Sequence, residues 1–371
     1  MGKQVEYDPR TPPGILGRGW RLSYETDLYV IGNTLQIVQA DGTRIIFVRN
    51  PKNPSVCATN NPAHGQVTIH KTARGEEYVW TWRNGRSLNF NPQGKLTQIK
   101  VPTGEFVSLT RDLSGILVKV TDPKGRSLIL GYPAKRDPNR FNGVTHIQSP
   151  VGRFAYSYGS AASTARAAGA GQATPRGLLA NLVRVDLPGA VARHYHYEDP
   201  AHPTLLTGIS LTAQGMTGQG ATAQHRSAQR LSTWAYDAQG RAILSVKGRP
   251  KQIGKDGRVM PGTGIEQVRL SYAPGKTTLT NSLDQTTTYT HAIVGNEHRL
   301  LSVIGAGCAS CGESNVQYGY DKLGRLIQTT KLSSTGQPLV TLQTQRDSLG
   351  RPIRIDRITY HNGQAQPGGL S

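Results

Sequence analysis

Cysteine, phenylalanine and long apolar runs are scarce in this sequence of 371 residues. Three cysteines are too few for the disulfide framework that holds small secreted domains together. No run of about 18 apolar residues is present, so the sequence predicts no membrane-spanning helix. The opening residues Met-Gly-Lys-Gln-Val-Glu-Tyr lack the apolar core of a signal peptide. We therefore expect the chain as given to carry no export signal of its own.

Turn-forming residues are abundant, whereas apolar residues make up only 36% of the chain. Its 43 glycines and 22 prolines are typical of a chain that reverses direction often. Glycine accepts the positive φ that tight turns need, and proline fixes φ at a value that turns use. The composition therefore predicts an all-β fold with little helix.

Basic residues outnumber acidic residues by 43 to 23, which gives a net charge of +20. Such an excess is a reason to consider nucleic acid or acidic polysaccharide as a partner. A nucleic-acid binder usually clusters its charge on one face, but many arginines here follow a turn glycine, one per turn. We therefore favour arginines that brace turns or face solvent over nucleic-acid binding. An acidic polysaccharide remains an open alternative.

A short motif recurs along the chain, and its fullest copy runs from Tyr318 to Arg325. Tyr318 and Tyr320 are two residues apart and so share one face of a strand. Asp321 offers an acceptor to the turn backbone, Gly324 accepts the positive φ, and Arg325 begins the return strand. The motif thus predicts a tight hairpin turn.

The Asp-x-x-Gly-Arg pattern has further copies, some exact and some loose. One such turn is ordinary type I chemistry, but eight in one chain indicate a repeat array. The other exact copies are Tyr236-Asp237 with Gly240-Arg241, Asp347 with Gly350-Arg351, and Asp122 with Gly125-Arg126; the looser copies begin at Asn91, Asp112, Ser149 and Asp186.

On these units the sequence resembles the RHS, or YD-repeat, family of bacterial proteins. The likeness covers nearly the whole chain, because four further stretches occur in the order usual for that family. The stretches are Gly17-Arg-Gly-Trp20 with Tyr24, Tyr195-His-Tyr197 with Leu206-Thr-Gly-Ile209, Thr233-Trp234-Ala-Tyr236, and Gly307-Cys308-Ala-Ser-Cys311-Gly312.

The resemblance implies antiparallel hairpins wound into a spiral sheet that forms part of a β-shell. Such a shell is not an enzyme and needs no cofactor; it encloses or presents a toxin or effector as cargo, in the same or an adjacent chain, for competition between cells. It also implies secretion or display through a dedicated system, whereas a truncated remnant would stay in the cytoplasm. The resemblance places an Asp-Pro-x-Gly motif, at which such shells release the toxin, after the repeats, and we expect this sequence to stop before it. Asp122-Pro123-Lys-Gly125 has the same pattern but lies in the middle of the array as a turn, so no autoprotease residues are expected.

The pattern divides the chain into two repeat blocks separated by a flexible insertion. The insertion is rich in Ala, Gly and Ser and lacks large apolar anchors. The expected segments are an irregular leading segment 1–33, a first β block 34–158, the insertion 159–180, a second β block 181–363, and a disordered tail 364–371.

Two hairpins are predicted at Asp41-Gly42 and Asn84-Gly85, each with a two-residue turn. A turn of that length sets the register of the flanking strands. The expected pairs are Ile37 with Ile46, Leu35 with Val48, Val79 with Phe90, and Thr81 with Leu88.

An aromatic strip at Tyr78, Trp80 and Trp82 shares one strand face. Stacking on a sugar ring needs such a strip, but a strand covered by another layer shows the same pattern. We favour packing. Glycan stacking by these three residues, in a carbohydrate-binding or adhesive surface module, is the alternative function.

Cys308 and Cys311 have the spacing of half a zinc ribbon, but a four-ligand site needs a second pair and only Cys57 remains. His291 and His298 could complete a site only if the fold brings them there. A local turn or a reducible disulfide is favoured, and no metal is expected; in the family this pair implies a structural role.

Motifs of catalysis are missing as well. The sequence contains no phosphate loop, Gly-x-Ser-x-Gly elbow or His-Glu-x-x-His helix. An enzyme of unrecognised type is therefore a second alternative, and it would need a cleft with converging titratable groups.

Overall fold

A computed structural model describes residues 13–138, 140–159, 180–213, 229–248, 265–295, 297–306, 313–361 and 363–366. Across these ranges the chain forms 27 β-strands and one short 3₁₀ helix, Pro62–His64. All pairings between neighbouring strands given for these ranges are antiparallel. The predicted all-β antiparallel fold is therefore confirmed.

The strands of the first half are mostly four to seven residues long. They are β1 Asp27–Ile31, β2 Thr34–Val38, β3 Arg44–Arg49, β4 Val56–Ala58, β5 Gln66–Thr72, β6 Gly75–Thr81, β7 Ser87–Phe90, β8 Leu96–Lys100, β9 Phe106–Arg111, β10 Leu117–Thr121, β11 Ser127–Gly131, β12 His146–Ser149, β13 Gly152–Tyr158, β14 Leu182–Leu187 and β15 Val191–His196.

Several strands of the second half reach nine or ten residues. They are β16 Gly208–Ala213, β17 Gln229–Tyr236, β18 Ala242–Lys247, β19 Ile265–Ala273, β20 Lys276–Thr280, β21 Thr286–Val294, β22 Glu297–Gly305, β23 Val316–Tyr320, β24 Leu326–Leu332, β25 Pro338–Arg346, β26 Pro352–His361 and β27 Gln364–Ala365.

Strand order follows the chain. From β1 to β15, and again from β17 to β27, each strand pairs with the one that follows it. Short turns suffice for such a meander, because adjacent antiparallel strands need no crossover.

The chain divides into two compact units. Unit 1 comprises Met1–Leu206 and Ser210–Ala228, and unit 2 comprises Thr207–Ile209 and Gln229–Ser371. No helix among the residues described above has the length and apolar character to span a membrane.

Unit 1 contains the larger apolar core. Alternate residues of its strands point to one side, which we call the core face, and residues such as Leu35, Phe47, Trp80 and Phe90 are almost completely buried there. Burial of each large apolar side chain contributes roughly 1.5–3 kcal/mol. In unit 2 the buried clusters are smaller, one formed by Leu244 and Val246 and another around Tyr289, Val303 and Val316.

The first predicted hairpin has the wrong register. Its loop holds three residues, because the Gln39 N–H donates to the Thr43 carbonyl and the Gly42 N–H donates to the Gln39 carbonyl. Ile37 therefore pairs with Ile45, and Leu35 pairs with Phe47. Ile45 and Phe47 are 6% and 0% exposed, whereas Ile46 and Val48 are 55% and 50% exposed. A slip of one residue exchanges the two faces of a strand.

The second predicted hairpin is wrong for the same reason. The Trp82 N–H donates to the Arg86 carbonyl, and the Gly85 N–H donates to the Trp82 carbonyl, so this loop also holds three residues. The pairs that form are Tyr78 with Phe90, Val79 with Asn89, Trp80 with Leu88, and Thr81 with Ser87.

The same three-residue loop is the common turn of the chain. Counting from the residue that begins the turn, the N–H of the first residue donates to the carbonyl of the fifth, and the N–H of the fourth donates to the carbonyl of the first. This is a type I turn followed by a bulge, and it needs a positive φ at the fourth residue. Asn91, Asp112 and Asp122 begin such turns, but Ser149 and Asp186 do not. Within the described ranges eleven turns have this pattern, beginning at Gln39, Trp82, Asn91, Val101, Asp112, Asp122, Asp237, Asn281, Asp321, Ser333 and Asp347.

Candidate functional site: the repeat turns and the N-terminal strap

The carboxylate of the motif aspartate binds both the backbone and the arginine of its own turn. Asp237 Oδ1 accepts the backbone N–H groups of Gln239 at 3.0 Å and of Arg241 at 2.8 Å. Its Oδ2 accepts Arg241 Nε at 2.7 Å. Gly240 supplies the positive φ, at 75°. One carboxylate thus fixes both sides of the loop, and the arginine charge is paired within the motif.

The other exact copies repeat this geometry. The Nε atoms of Arg325 and Arg351 lie 2.6 Å from the Oδ2 atoms of Asp321 and Asp347. Backbone N–H groups reach Oδ1 of the same aspartates at 2.8–3.0 Å. The equivalent contacts in the turn at Asp122 measure 2.7–2.9 Å. Gly324 and Gly350 have φ of 75° and 82°.

These contacts favour the ionised carboxylate. At Asp237, burial alone would raise the pKa, but the hydrogen bonds from the backbone and side chain of Arg241, with its charge, outweigh burial and lower the pKa. Asp321 has a lowered pKa for the same balance of causes. At Asp347 the hydrogen bond from the Arg351 side chain is the main cause of the lowered pKa. The turns are therefore stabilised by ionised aspartates.

A second contact ties each of several hairpins to the strand beside it. Strands β8, β10, β18 and β24 each contain a bulge near their first residues, and β22 contains one near its middle. A bulge turns one backbone carbonyl away from the regular ladder. An arginine or tyrosine at the end of the next strand donates to that carbonyl: Arg111 to Leu96 at 3.3 Å, Tyr132 to Leu117 at 2.7 Å, Tyr272 to Ala242 at 2.7 Å, Tyr320 to Leu300 at 2.8 Å, and Arg346 to Leu326 at 2.9 Å.

This bridge gives the tyrosine of the Tyr-Asp pair a physical role. Arg111, Tyr320 and Arg346 each directly precede the aspartate of a repeat turn. In these three turns the residue before the aspartate therefore braces the preceding strand, while the aspartate closes the turn that follows. Sequence reasoning missed this role, although arginine in place of tyrosine before Asp112 and Asp347 was a signal that the position needs a long donor.

Residues 13–26, which we call the strap, lie against the core face of unit 1. Leu16 is buried, and Ile15, Trp20, Leu22 and Tyr24 pack against the core cluster. The Ile15 carbonyl accepts the Val144 N–H at 2.8 Å. Leucine, isoleucine and aromatic residues of the strap thereby bury apolar surface that a sheet alone would leave open.

Further along, the strap contacts parts of unit 1 that are distant in sequence. The Arg18 N–H donates to the Ala180 carbonyl at 2.9 Å. Trp20 Nε1 donates to the Tyr197 hydroxyl at 3.2 Å, and its ring meets Tyr195 edge-on with centroids 4.8 Å apart. The Gly-Arg-Gly-Trp stretch therefore crosses several strands of one unit.

Glu25 joins the two ends of the strap. Its Oε1 accepts the Ile15 N–H at 3.0 Å, and its Oε2 accepts the Leu22 N–H at 2.6 Å. Burial raises the pKa of Glu25, and the two backbone hydrogen bonds only partly offset that rise. Burial also raises the pKa of Tyr132 to about 12 and lowers the pKa of Arg111.

The aromatic strip is part of the core. Trp80 is 0% exposed and Tyr78 is 4% exposed. Trp80 Nε1 donates to the His64 carbonyl at 2.7 Å, and its ring lies 3.8 Å from that of half-buried Trp82. Arg86 lies over the Trp82 ring at 5.2 Å. Neither Tyr78 nor Trp80 offers a free face to a sugar, so this geometry gives glycan stacking no support.

The cysteine pair Cys308 and Cys311 lies outside the described residues. His291 and His298 are on adjacent strands with ring centroids 6.1 Å apart. Within the described ranges, no three or more His, Cys, Asp or Glu residues come together as metal ligands would. Cys57 is buried, and burial raises the pKa of its thiol.

Comparison with known proteins found likenesses of structure only. Neither a scan against protein-family models nor a search of curated proteins found a match. Among solved structures, the chain is similar to one in a TcdB2-TccC3-Cdc42 crystal structure, with a TM-score of 0.38, 13% identity and 88% of this chain covered. It is also similar to a chain of the Photorhabdus luminescens Tc holotoxin pore, at TM-score 0.30 and 13% identity, again over 88% of this chain.

A third similar structure is a porin-like protein from Bacteroides uniformis, at TM-score 0.23 and 9% identity, with 80% of this chain and 89% of that chain covered. The chain spans only 18% and 20% of the first two chains. Because every TM-score is below 0.5, these likenesses carry no argument about what this protein does.

Proposed function

We propose that this chain is a noncatalytic segment of the wall of a β-shell that encloses a protein cargo, a toxin or effector used in competition between cells. The observation that carries the proposal is the repeated bridge from an arginine or tyrosine to a bulge carbonyl. It joins hairpin to hairpin at Leu96, Leu117, Ala242, Leu300 and Leu326. A sheet held in this way extends by adding hairpins, as an enclosing wall must.

The titratable groups of the repeat turns support the same proposal. The motif aspartates accept hydrogen bonds from their own turns, and the motif arginines pair with those aspartates. The motif aspartates and arginines hold the turns together by these contacts, and they are not arranged to transfer protons. Export through a dedicated secretion system belongs to the same proposal and follows from the sequence resemblance.

The test is limited proteolysis of the natural gene product, isolated with any chain that copurifies. If the hairpins form an enclosing wall, segments outside the repeat hairpins should resist thermolysin until urea unfolds the hairpins. Cleavage of these segments and unfolding of the hairpins should then occur at the same urea concentration. Mass spectrometry identifies the protected segments. Cutting of every such segment before the hairpins unfold would refute enclosure.

A matched pair of variants sharpens this test. Arg346→Ala removes one bridge together with the hydrogen bond from Arg346 to the Gly350 carbonyl of its own turn, whereas Lys322→Ala removes an exposed cation from the tip of a neighbouring turn. Only Arg346→Ala should bring cutting of the enclosed segment to a lower urea concentration. Equal behaviour of the two variants would mean that the bridges do not hold the wall together.

A further inference from the structure

The strap is held on unit 1 mainly by apolar packing of Ile15, Leu16, Trp20, Leu22 and Tyr24. Its backbone makes one hydrogen bond with Val144 and one with Ala180, and Trp20 contacts Tyr195 and Tyr197. It is not one of the β-strands. Segments that rest on few hydrogen bonds open at lower free energy than the strands beneath them.

Glu25 closes the strap upon itself. Its two carboxylate oxygens accept N–H groups ten and three residues earlier in the chain, so one side chain fixes both ends of the loop. Removal of the carboxylate would leave two half-buried N–H groups without acceptors. The Glu25 N–H also donates to the Leu22 carbonyl at 2.9 Å, which keeps the side chain directed inward.

We propose that Glu25 is the lock of a detachable strap: residues 13–26 leave the core face of unit 1 as one piece when this lock opens, while the strands of unit 1 stay folded. The surface thereby uncovered has the chemistry of a site for an extended peptide with an indole. It offers the Ala180 carbonyl, the Val144 N–H and the tyrosines Tyr195 and Tyr197. In this structure the chain's own strap fills that site.

The glycines of the strap show how closely it lies on unit 1. Gly17 has φ of +98°, and a Cβ there would overlap the Ala180 carbonyl oxygen and press on the Tyr158 ring at 3.2 Å. Gly19 has φ of +74°, but a Cβ there would meet nothing within 4 Å. Both positions have a positive φ that disfavours alanine, and only Gly17 also needs glycine for close approach.

The charges around Glu25 support a lock that responds to pH. Arg21 and Asp27 flank it in the chain, and Arg111 of β9, Tyr132 after β11 and Tyr158 of β13 face it from the sheet. Burial raises the pKa of Glu25. The seated strap therefore holds the proton more tightly than the released strap, and acidification favours the seated state.

The first measurement is native-state hydrogen exchange of the unaltered protein. The strap amides of Ile15, Arg18 and Leu22 should exchange at least about tenfold faster than the Ile37 and Trp80 amides of the sheet, and with a smaller urea dependence. Equal rates and equal urea dependence would show that the strap leaves only by global unfolding. That result would overturn the proposal.

The second measurement uses variants and trypsin, which cuts after Arg18 and Arg21. Glu25→Ala should raise cleavage at these sites by about tenfold or more, because two hydrogen bonds to a charged group are lost. The control Glu105→Ala removes an exposed carboxylate from a turn and should leave cleavage unchanged. Unchanged cleavage in Glu25→Ala would refute the lock.

The glycine pair keeps the proposal testable if Glu25→Ala does not fold. Gly17→Ala should raise strap cleavage about tenfold or more over Gly19→Ala, since both positions have a positive φ and only Gly17 approaches Ala180. A synthetic peptide of residues 13–26 that carries a fluorescent label should bind Gly17→Ala, which a rise in the anisotropy of the label measures. Equal cleavage of both variants, or no binding by this peptide, would count against a detachable strap.

Discussion

A single methyl group at Gly94 should destabilise unit 1 far more than the same group at Gly115. Both glycines occupy the fourth position of the common turn, with φ of 71° and 81°. Alanine at either position therefore carries the cost of a positive φ, about 1–2 kcal/mol. The two sites differ only in what covers them, which makes the second a control for the first.

The difference comes from β1, which passes over the turn at Gly94. A Cβ on Gly94 would overlap the Leu28 carbonyl oxygen and lie 2.9 Å from its carbon, whereas a Cβ on Gly115 would meet nothing within 4 Å. For β1 to move away, the hydrogen bond from Leu28 N to the Gly94 carbonyl, 2.8 Å long, must break. That loss costs about 1 kcal/mol. The ion pair between Lys95 and Asp27 would be strained as well.

Displacement of β1 also exposes Leu28, which is now 3% exposed. Its burial contributes about 2 kcal/mol. Gly94→Ala should therefore cost about 3 kcal/mol more than Gly115→Ala, from one hydrogen bond and one apolar side chain. This difference should appear in full because it arises in the folded state.

Urea titration of both variants, followed by tryptophan fluorescence and circular dichroism, measures this difference as a change in midpoint at constant slope. Losses in the two variants that agree within about 0.5 kcal/mol would show that the close approach of β1 contributes nothing. A changed slope in one variant alone would instead point to an altered unfolded state.

Three other predictions concern the bridges, the core and pH. Tyr320→Phe deletes only the hydroxyl that reaches the Leu300 carbonyl and should cost about 1 kcal/mol in urea titration; no loss would mean that the bridge is not a net stabiliser. Trp80→Ala should cost about 3–5 kcal/mol and Trp82→Ala clearly less, because only Trp80 is fully buried; equal losses would contradict the packing. The ionised Asp237 stabilises the fold above its ordinary pKa, and this stabilisation should be lost as pH falls through its lowered pKa. Asp237→Asn should therefore be less sensitive to acid than the unaltered protein in midpoints measured from pH 7 to about 2; identical pH profiles would show that this carboxylate does not contribute.

The turns could be predicted without a structure, because a turn is formed by residues that are adjacent in sequence. Asp at the first position and Gly at the fourth predict a hairpin from a few neighbouring residues alone. The turns at Asp237, Asp321 and Asp347 form as that chemistry requires. The all-β fold follows from many such turns between short apolar strands.

The register of the hairpin strands could not be predicted in the same way. A loop of two residues and a loop of three both accept glycine, so Asp41-Gly42 and Asn84-Gly85 fit either. The choice decides which of Ile45 and Ile46 is buried, and it depends on what the core face packs against. The bulges could not be predicted for a similar reason, because no residue type is specific to a bulge.

By itself the sequence determined where the chain turns, and hence that it forms consecutive antiparallel hairpins with an aspartate, a glycine and an arginine in many turns. Only the tertiary structure decided that Trp80 is fully buried in the core, that Tyr320 donates a hydrogen bond to Leu300, and that Glu25 holds the strap ends. The physical reason is distance along the chain. Turns close within five residues, whereas Trp20 and Tyr197 are 177 residues apart, and no local pattern encodes that they meet.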